Sequence, residues 1–116
     1  MASGTIHKNM VLLWSNPSPA SNFSAQSINL NLDGFDAMLI IYWYGVQSGN
    51  QIEISQTFPV NNQAKWLMIC STTNISGGRK CTYNPSTHKM TFEGASYSGS
   101  SNAAYVIPVF IYGLKA

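Results

Sequence analysis

At 116 residues the chain has room for one domain, and its 45% hydrophobic content is enough for an ordinary core. Charged residues make up only 9%, against the ~25% of a typical soluble domain, so Ser, Thr, Asn and Gln must cover the surface. The net charge of +2 is spread out, with only Arg79 and Lys80 adjacent, which argues against a nucleic-acid face; the longest apolar run, Ala37 to Tyr44, is far too short for a membrane-spanning helix.

Helical periodicity is nearly absent, and Gly, Pro, Ser and Asn clusters interrupt the chain every ten or so residues. The first strand is expected over Thr5 to Ser15, ending at Asn16-Pro17-Ser18-Pro19, where two prolines deny ladder donors. The segment before it, Met1 to Thr5, is polar and does not read as a secretory signal, which fits a chain that does not cross a secretory pathway alone or a piece of a longer one. Ile28, Leu30 and Leu32 alternate with polar residues, as in a strand with one face in the core. Ala37 to Tyr44 is apolar on both faces and reads as a central strand covered by protein on both sides.

Ile52 and Ile54 mark a further half-buried strand reaching toward Val60, and Asn61-Asn62-Gln63 a polar turn. Lys65 to Thr73 returns with Trp66, Met68 and Cys70 on one face. Gly77-Gly78 reads as a turn before a strand from Arg79 to Tyr83, and Asn84-Pro85-Ser86-Thr87 as a type I turn leading into Lys89 to Phe92. Gly94 to Ala104 is small and polar and is expected to be a mobile surface loop. Tyr105 to Tyr112 closes the domain, with Pro108 pointing to an edge strand or a bulge. The expected fold is all-β: an antiparallel sandwich of about eight strands, jelly-roll-like, with 1–116 as one domain.

Chemistry is sparse. Cys70 and Cys81 lack the further ligands of a zinc site, so no metal and no cofactor is expected. One hairpin register sets the two cysteines face to face, where a disulfide is conceivable; a tighter turn puts Asn74 opposite Cys81 instead, and two buried free thiols are the preferred reading. His7 and His88 have no nucleophile elbow to serve, and Glu53 and Glu93, which neighbouring strands would bring together as a glycosidase pair, sit at alternating positions suited to solvent. No catalytic residue is assigned. Trp14, Trp43 and Trp66 lie in apolar strands and read as core. Tyr83 and Tyr97, in or beside turns, are the expected ligand contacts, together with Asn61, Asn62 and Asn84.

Two stretches carry a resemblance. One is Val11-Leu12-Leu13-Trp14-Ser15-Asn16-Pro17-Ser18-Pro19, followed by Phe23 to Leu30 and by Phe35-Asp36-Ala37-Met38-Leu39-Ile40-Ile41; the other is the ending Ile107-Pro108-Val109-Phe110-Ile111-Tyr112-Gly113-Leu114-Lys115. Together they cover about half the chain, and the pattern resembles the C-terminal β-domains of tail and minor structural proteins of tailed bacteriophages of Gram-positive bacteria. The resemblance implies a virion tail domain assembled in the bacterial cytoplasm, a homotrimer, and contacts with other tail proteins and a host cell-surface glycan. It lends no binding residues. The expected function is non-catalytic host-polysaccharide recognition, with a structural trimerisation domain or a carbohydrate-binding module of a bacterial enzyme as alternatives.

Overall fold

The computed structural model describes residues 10–60, 65–71 and 76–115. Among these residues ten strands follow one another: β1 (Met10–Ser15), β2 (Gln26–Asn29), β3 (Ala37–Gly45), β4 (Glu53–Pro59), β5 (Trp66–Ser71), β6 (Ser76–Asn84), β7 (Lys89–Phe92), β8 (Ser96–Tyr97), β9 (Ser100–Ser101) and β10 (Tyr105–Leu114). They form two antiparallel sheets packed face to face, the sandwich the alternation predicts. The first sheet has the order β1-β10-β3-β4, and the second β2-β7-β6-β8-β9 with β5 on the other side of β6. The nested pairs β1–β10 and β2–β7 give the roll-like wrapping, while the inner strands pair as the hairpins β3–β4 and β5–β6.

Period-two alternation places the core. Met38, Ile40 and Tyr42 of β3, Trp66, Met68 and Cys70 of β5, and Cys81 and Tyr83 of β6 all point between the sheets and are buried. Trp14, Phe23 and Phe92 pack edge-on or tilted at one end, with centroids 5.3–6.3 Å apart.

The two resembling stretches meet in space. The Asn16 side chain donates to Pro108 O at 2.9 Å, and its backbone N–H to Val109 O at 2.8 Å. Phe35 lies so close over Gly113 that a β-carbon there would sit 2.7 Å from its ring. Asp36 N–H donates to Leu114 O at 2.8 Å. These contacts pin β10 between β1 and β3. Pro108 is therefore in a central strand, and the ladder accommodates it with a bulge between Pro108 and Phe110.

Two expectations change. The stretch Gly94 to Ala104 carries the small β8–β9 hairpin, with Ala95 buried and Tyr97 packed against the core. Its small residues suit close approach: Gly77 faces Tyr97 across the β6–β8 pair, and a β-carbon on Gly77 would lie 2.8 Å from Tyr97 Cδ1. Gly77 and Gly78 for the same reason lie inside β6 and not in a turn.

Candidate functional site

The sequence-derived contact residues do not converge. Tyr83 is buried, because β6 runs unbroken from Ser76 to Asn84 and its odd-numbered positions all face inward. Its hydroxyl accepts a 3.0 Å hydrogen bond from Leu32 N–H, so it anchors the strand crossing and is not an exposed ligand contact. Asn84 is exposed, but its Oδ1 accepts from Ser86 and Thr87 N–H at 2.9 and 3.4 Å and thereby builds the β6–β7 turn. Asn61 and Asn62 lie outside the described residues.

Tyr97 is half-buried rather than free in a loop. Its ring stacks on Tyr105 with centroids 3.7 Å apart and planes within 3°, and its hydroxyl hydrogen-bonds that of Tyr44. That bond, followed by desolvation, pushes the Tyr97 phenol up to about 12. Tyr83 and Tyr97 stand at opposite ends of β6, roughly 20 Å apart at the rise of an extended strand.

The two cysteines do not form a disulfide. The β5–β6 register pairs Cys70 with Gly77 and Cys81 with Trp66, so both thiols are buried and free. Burial pushes the Cys81 thiol up to about 12 and Cys70 upward as well. Glu53 lies in the first sheet and Glu93 follows β7 in the second, so they form no pair across neighbouring strands. The Glu93 carboxyl is held low by its 2.7 Å hydrogen bond from Lys65. His88 bonds Asp33 at 3.0 Å on the surface. Among the described residues no cluster of His, Cys, Asp and Glu could hold a metal ion.

Arg79 is the polar centre that the sequence reading missed. It is fully buried on β6, and among the described residues it has no carboxylate partner and is held by backbone carbonyls. Nε donates to Val106 O at 2.9 Å, Nη1 to Glu93 O at 2.8 Å, and Nη2 to Phe23 O at 2.8 Å and Tyr105 O at 3.2 Å. Its guanidinium also lies 5.1 Å from the centre of the Phe23 ring. Val106, a β-branched residue at φ 53°, presents one of these carbonyls, so the left-handed kink at the start of β10 is tied directly to the arginine. Burial pushes the guanidinium down to about 10, which still leaves it charged at neutral pH. This is a structural brace between the sheets. Its only sequence signal is an arginine at an inward-phase position of a strand.

Among the described residues the accessible surface is hollowed at two places in the second sheet. One, of about 280 Å³, lies at the β6–β7 turn beside Asn84 and Pro85. The other, of about 410 Å³, lies over Gly77 and Gly78 between β5 and the β8–β9 hairpin. Leu67 and Ile69, 46% and 50% exposed, form its apolar wall, and Ser71, Ser76 and Ser96 contribute to its lining. Gly77 and Gly78 give its floor backbone only, with Leu67 and Ile69 packed against Gly78. An apolar wall facing polar groups across a flat floor suits a sugar ring, which has a C–H face and a hydroxyl edge. No family model, curated protein or solved structure matches the chain.

Proposed function

We propose that this is a non-catalytic recognition domain of a phage tail, engaging host-surface polysaccharide through the hollow over Gly77 and Gly78. The observation that carries the site is the juxtaposition of exposed Leu67 and Ile69 with serines beside the glycine backbone of β6. The tail context rests on the resemblance alone. Shallow sites of this kind bind weakly as single copies and gain avidity when several copies are held together. A carbohydrate-binding module of a bacterial enzyme would use the same hollow.

The test is sedimentation of the labelled domain with cell walls of Gram-positive bacteria and with their purified wall polysaccharide. Binding is expected for the wild type and should fall at least about tenfold in Leu67→Asp, whose charge enters the apolar wall. Equal binding by the two proteins removes the hollow from consideration. A second reading, that the domain joins tail subunits, is favoured by a different surface: the apolar outer face of the first sheet.

A further inference from the structure

Asp33-Gly34 is the one place in the sequence where an Asp or Asn precedes glycine. The pair forms the tip of the turn between β2 and β3. Phe35 N–H closes that turn on Leu32 O at 3.1 Å, and Gly34 takes φ 84°, as the third residue of a type II turn does. Both residues are exposed, and the Asp33 carboxylate lies 3.0 Å from His88 Nε2 at the surface. Among the described residues no hydrogen bond takes up the Gly34 N–H. At three asparagines the next amide is engaged instead. Phe23 N–H, after Asn22, donates to Ala103 O at 2.9 Å; Leu30 N–H, after Asn29, donates to His88 O at 2.8 Å; and Leu32 N–H, after Asn31, donates to the Tyr83 hydroxyl at 3.0 Å. Asn16 and Asn84 precede proline, which has no N–H at all. Ala37, after Asp36, is held in the ladder between Leu114 and Pro59.

We propose that Asp33 is a modification site at which the folded chain spontaneously forms isoaspartate. Gly34 N attacks Cγ of the Asp33 carboxyl in its acid form. The new C–N bond closes a five-membered succinimide, the C–OH bond breaks, and the departing hydroxyl leaves as water with the amide proton. Water then opens the ring at either carbonyl. Breaking the bond between nitrogen and the α-carbonyl carbon leaves the main chain running through Cγ, which is isoaspartate; breaking the bond to Cγ restores aspartate. The water lost in the first step returns in the second, so nothing is oxidised or reduced and no co-reactant is needed. Glycine favours the attack twice: no β-carbon blocks the approach of its nitrogen, and its backbone is free to turn toward the carboxyl. The product adds one methylene to the main chain at a joint pinned on both flanks, by Leu32 N–H on Tyr83 and by Phe35 over Gly113.

The test holds the folded full chain for weeks in mildly acidic buffer below its unfolding temperature. Samples are then digested and read by electron-transfer fragmentation, which separates isoaspartate from aspartate at equal mass. Methyl transfer by an isoaspartyl methyltransferase counts the product independently. Isoaspartate at position 33 should rise with time at least about tenfold faster than at Asp36, accompanied by a species one water lighter than the starting chain. Asp33→Glu should remove the signal, because its ring closure would have to form a six-membered imide. Asp33 is exposed, so this variant keeps the fold, as unchanged near-UV circular dichroism would show. A folded chain in which position 33 stays aspartate overturns the proposal. So does isoaspartate that appears only when the chain is held unfolded in urea, or conversion at Asp36 as fast as at Asp33.

Discussion

The outer faces of the two sheets differ in chemistry although both sheets share one core. On the second sheet the outward residues are Ser27, Asn29, Lys80, Lys89 and Thr91, joined by polar cross-strand contacts. Ser27 and Thr91 hydroxyls lie 2.9 Å apart, and Lys89 Nζ donates to Asn29 Oδ1 at 2.9 Å. That face is complete in water. The outward residues of β1, β3 and β10 are mostly apolar, with Ser15 opposite Phe110 and the 3.4 Å Trp43 Nε1–Glu53 Oε1 contact as exceptions. Only the exposed corner of the second sheet at Leu67 and Ile69 departs from its polar character, and there the neighbouring β6 is reduced to glycine. A strand that is apolar on both sides needs cover on both sides, and among the described residues the chain supplies only one.

The largest effect should come from dissolving the joint between the sheets. Arg79→Met removes a guanidinium that holds four carbonyls and leaves those acceptors buried, so we expect a loss of about 4 kcal/mol in urea unfolding. Arg79→Lys should recover little of it, because one ammonium cannot reproduce the planar fork. A loss below about 1 kcal/mol would mean that the two sheets are joined by apolar packing alone.

Inner and outer faces can next be compared at adjacent glycines. A β-carbon on Gly77 meets Ser96 O at 2.9 Å and the Tyr97 ring at 2.8 Å, both held by the β8 pairing. A β-carbon on Gly78, on the outer side, meets mainly Leu67 Cδ1 at 3.0 Å, the end of an exposed side chain that can turn away. Gly77→Ala should therefore cost about 1–3 kcal/mol and Gly78→Ala less than about 1 kcal/mol in thermal or urea unfolding. Equal costs would show that the outer face is as tightly constrained as the core.

Alkaline pH acts on the buried side alone. Desolvation raises the Cys81 thiol from 9.0 to about 12 and the Tyr42 phenol from 10.0 to about 12, so in both the folded state favours the neutral form. The stability they contribute is fully present below their unfolded values, and it is lost as the pH climbs through the folded ones. Arg79, lowered from 12.5 to about 10, works in the opposite sense only above pH 10. The urea midpoint should thus begin to fall from pH 9, and native thiols should resist a disulfide reagent at pH 8. Rapid labelling of both thiols without unfolding would contradict their burial. The smallest effect is expected at Thr91→Lys on the finished polar face, within about 0.5 kcal/mol of the wild type.

Much of the fold was legible because alternation is a local property. β5 shows Trp66, Met68 and Cys70 on one side, and Lys89–Phe92 stands where its pattern placed it. The candidate site was far less legible. Tyr83 reads as a turn residue until β6 is seen to continue through it, and Tyr97 reads as loop until Tyr105, from a strand later in the chain, stacks on it. Gly77-Gly78 reads as a turn, yet both glycines lie within β6, where they serve close approach.

By itself the sequence determined the all-β class and the phase of most strands. These follow from side-chain chemistry and the two-residue period of a strand, both readable from near neighbours. Tertiary structure alone decided the β5–β6 register that separates Cys70 from Cys81, the central place of a proline-bearing β10, and the carbonyl cage of Arg79. The last depends on residues from Phe23 to Val106 arriving at one place, and no local pattern encodes which carbonyls a buried guanidinium will meet.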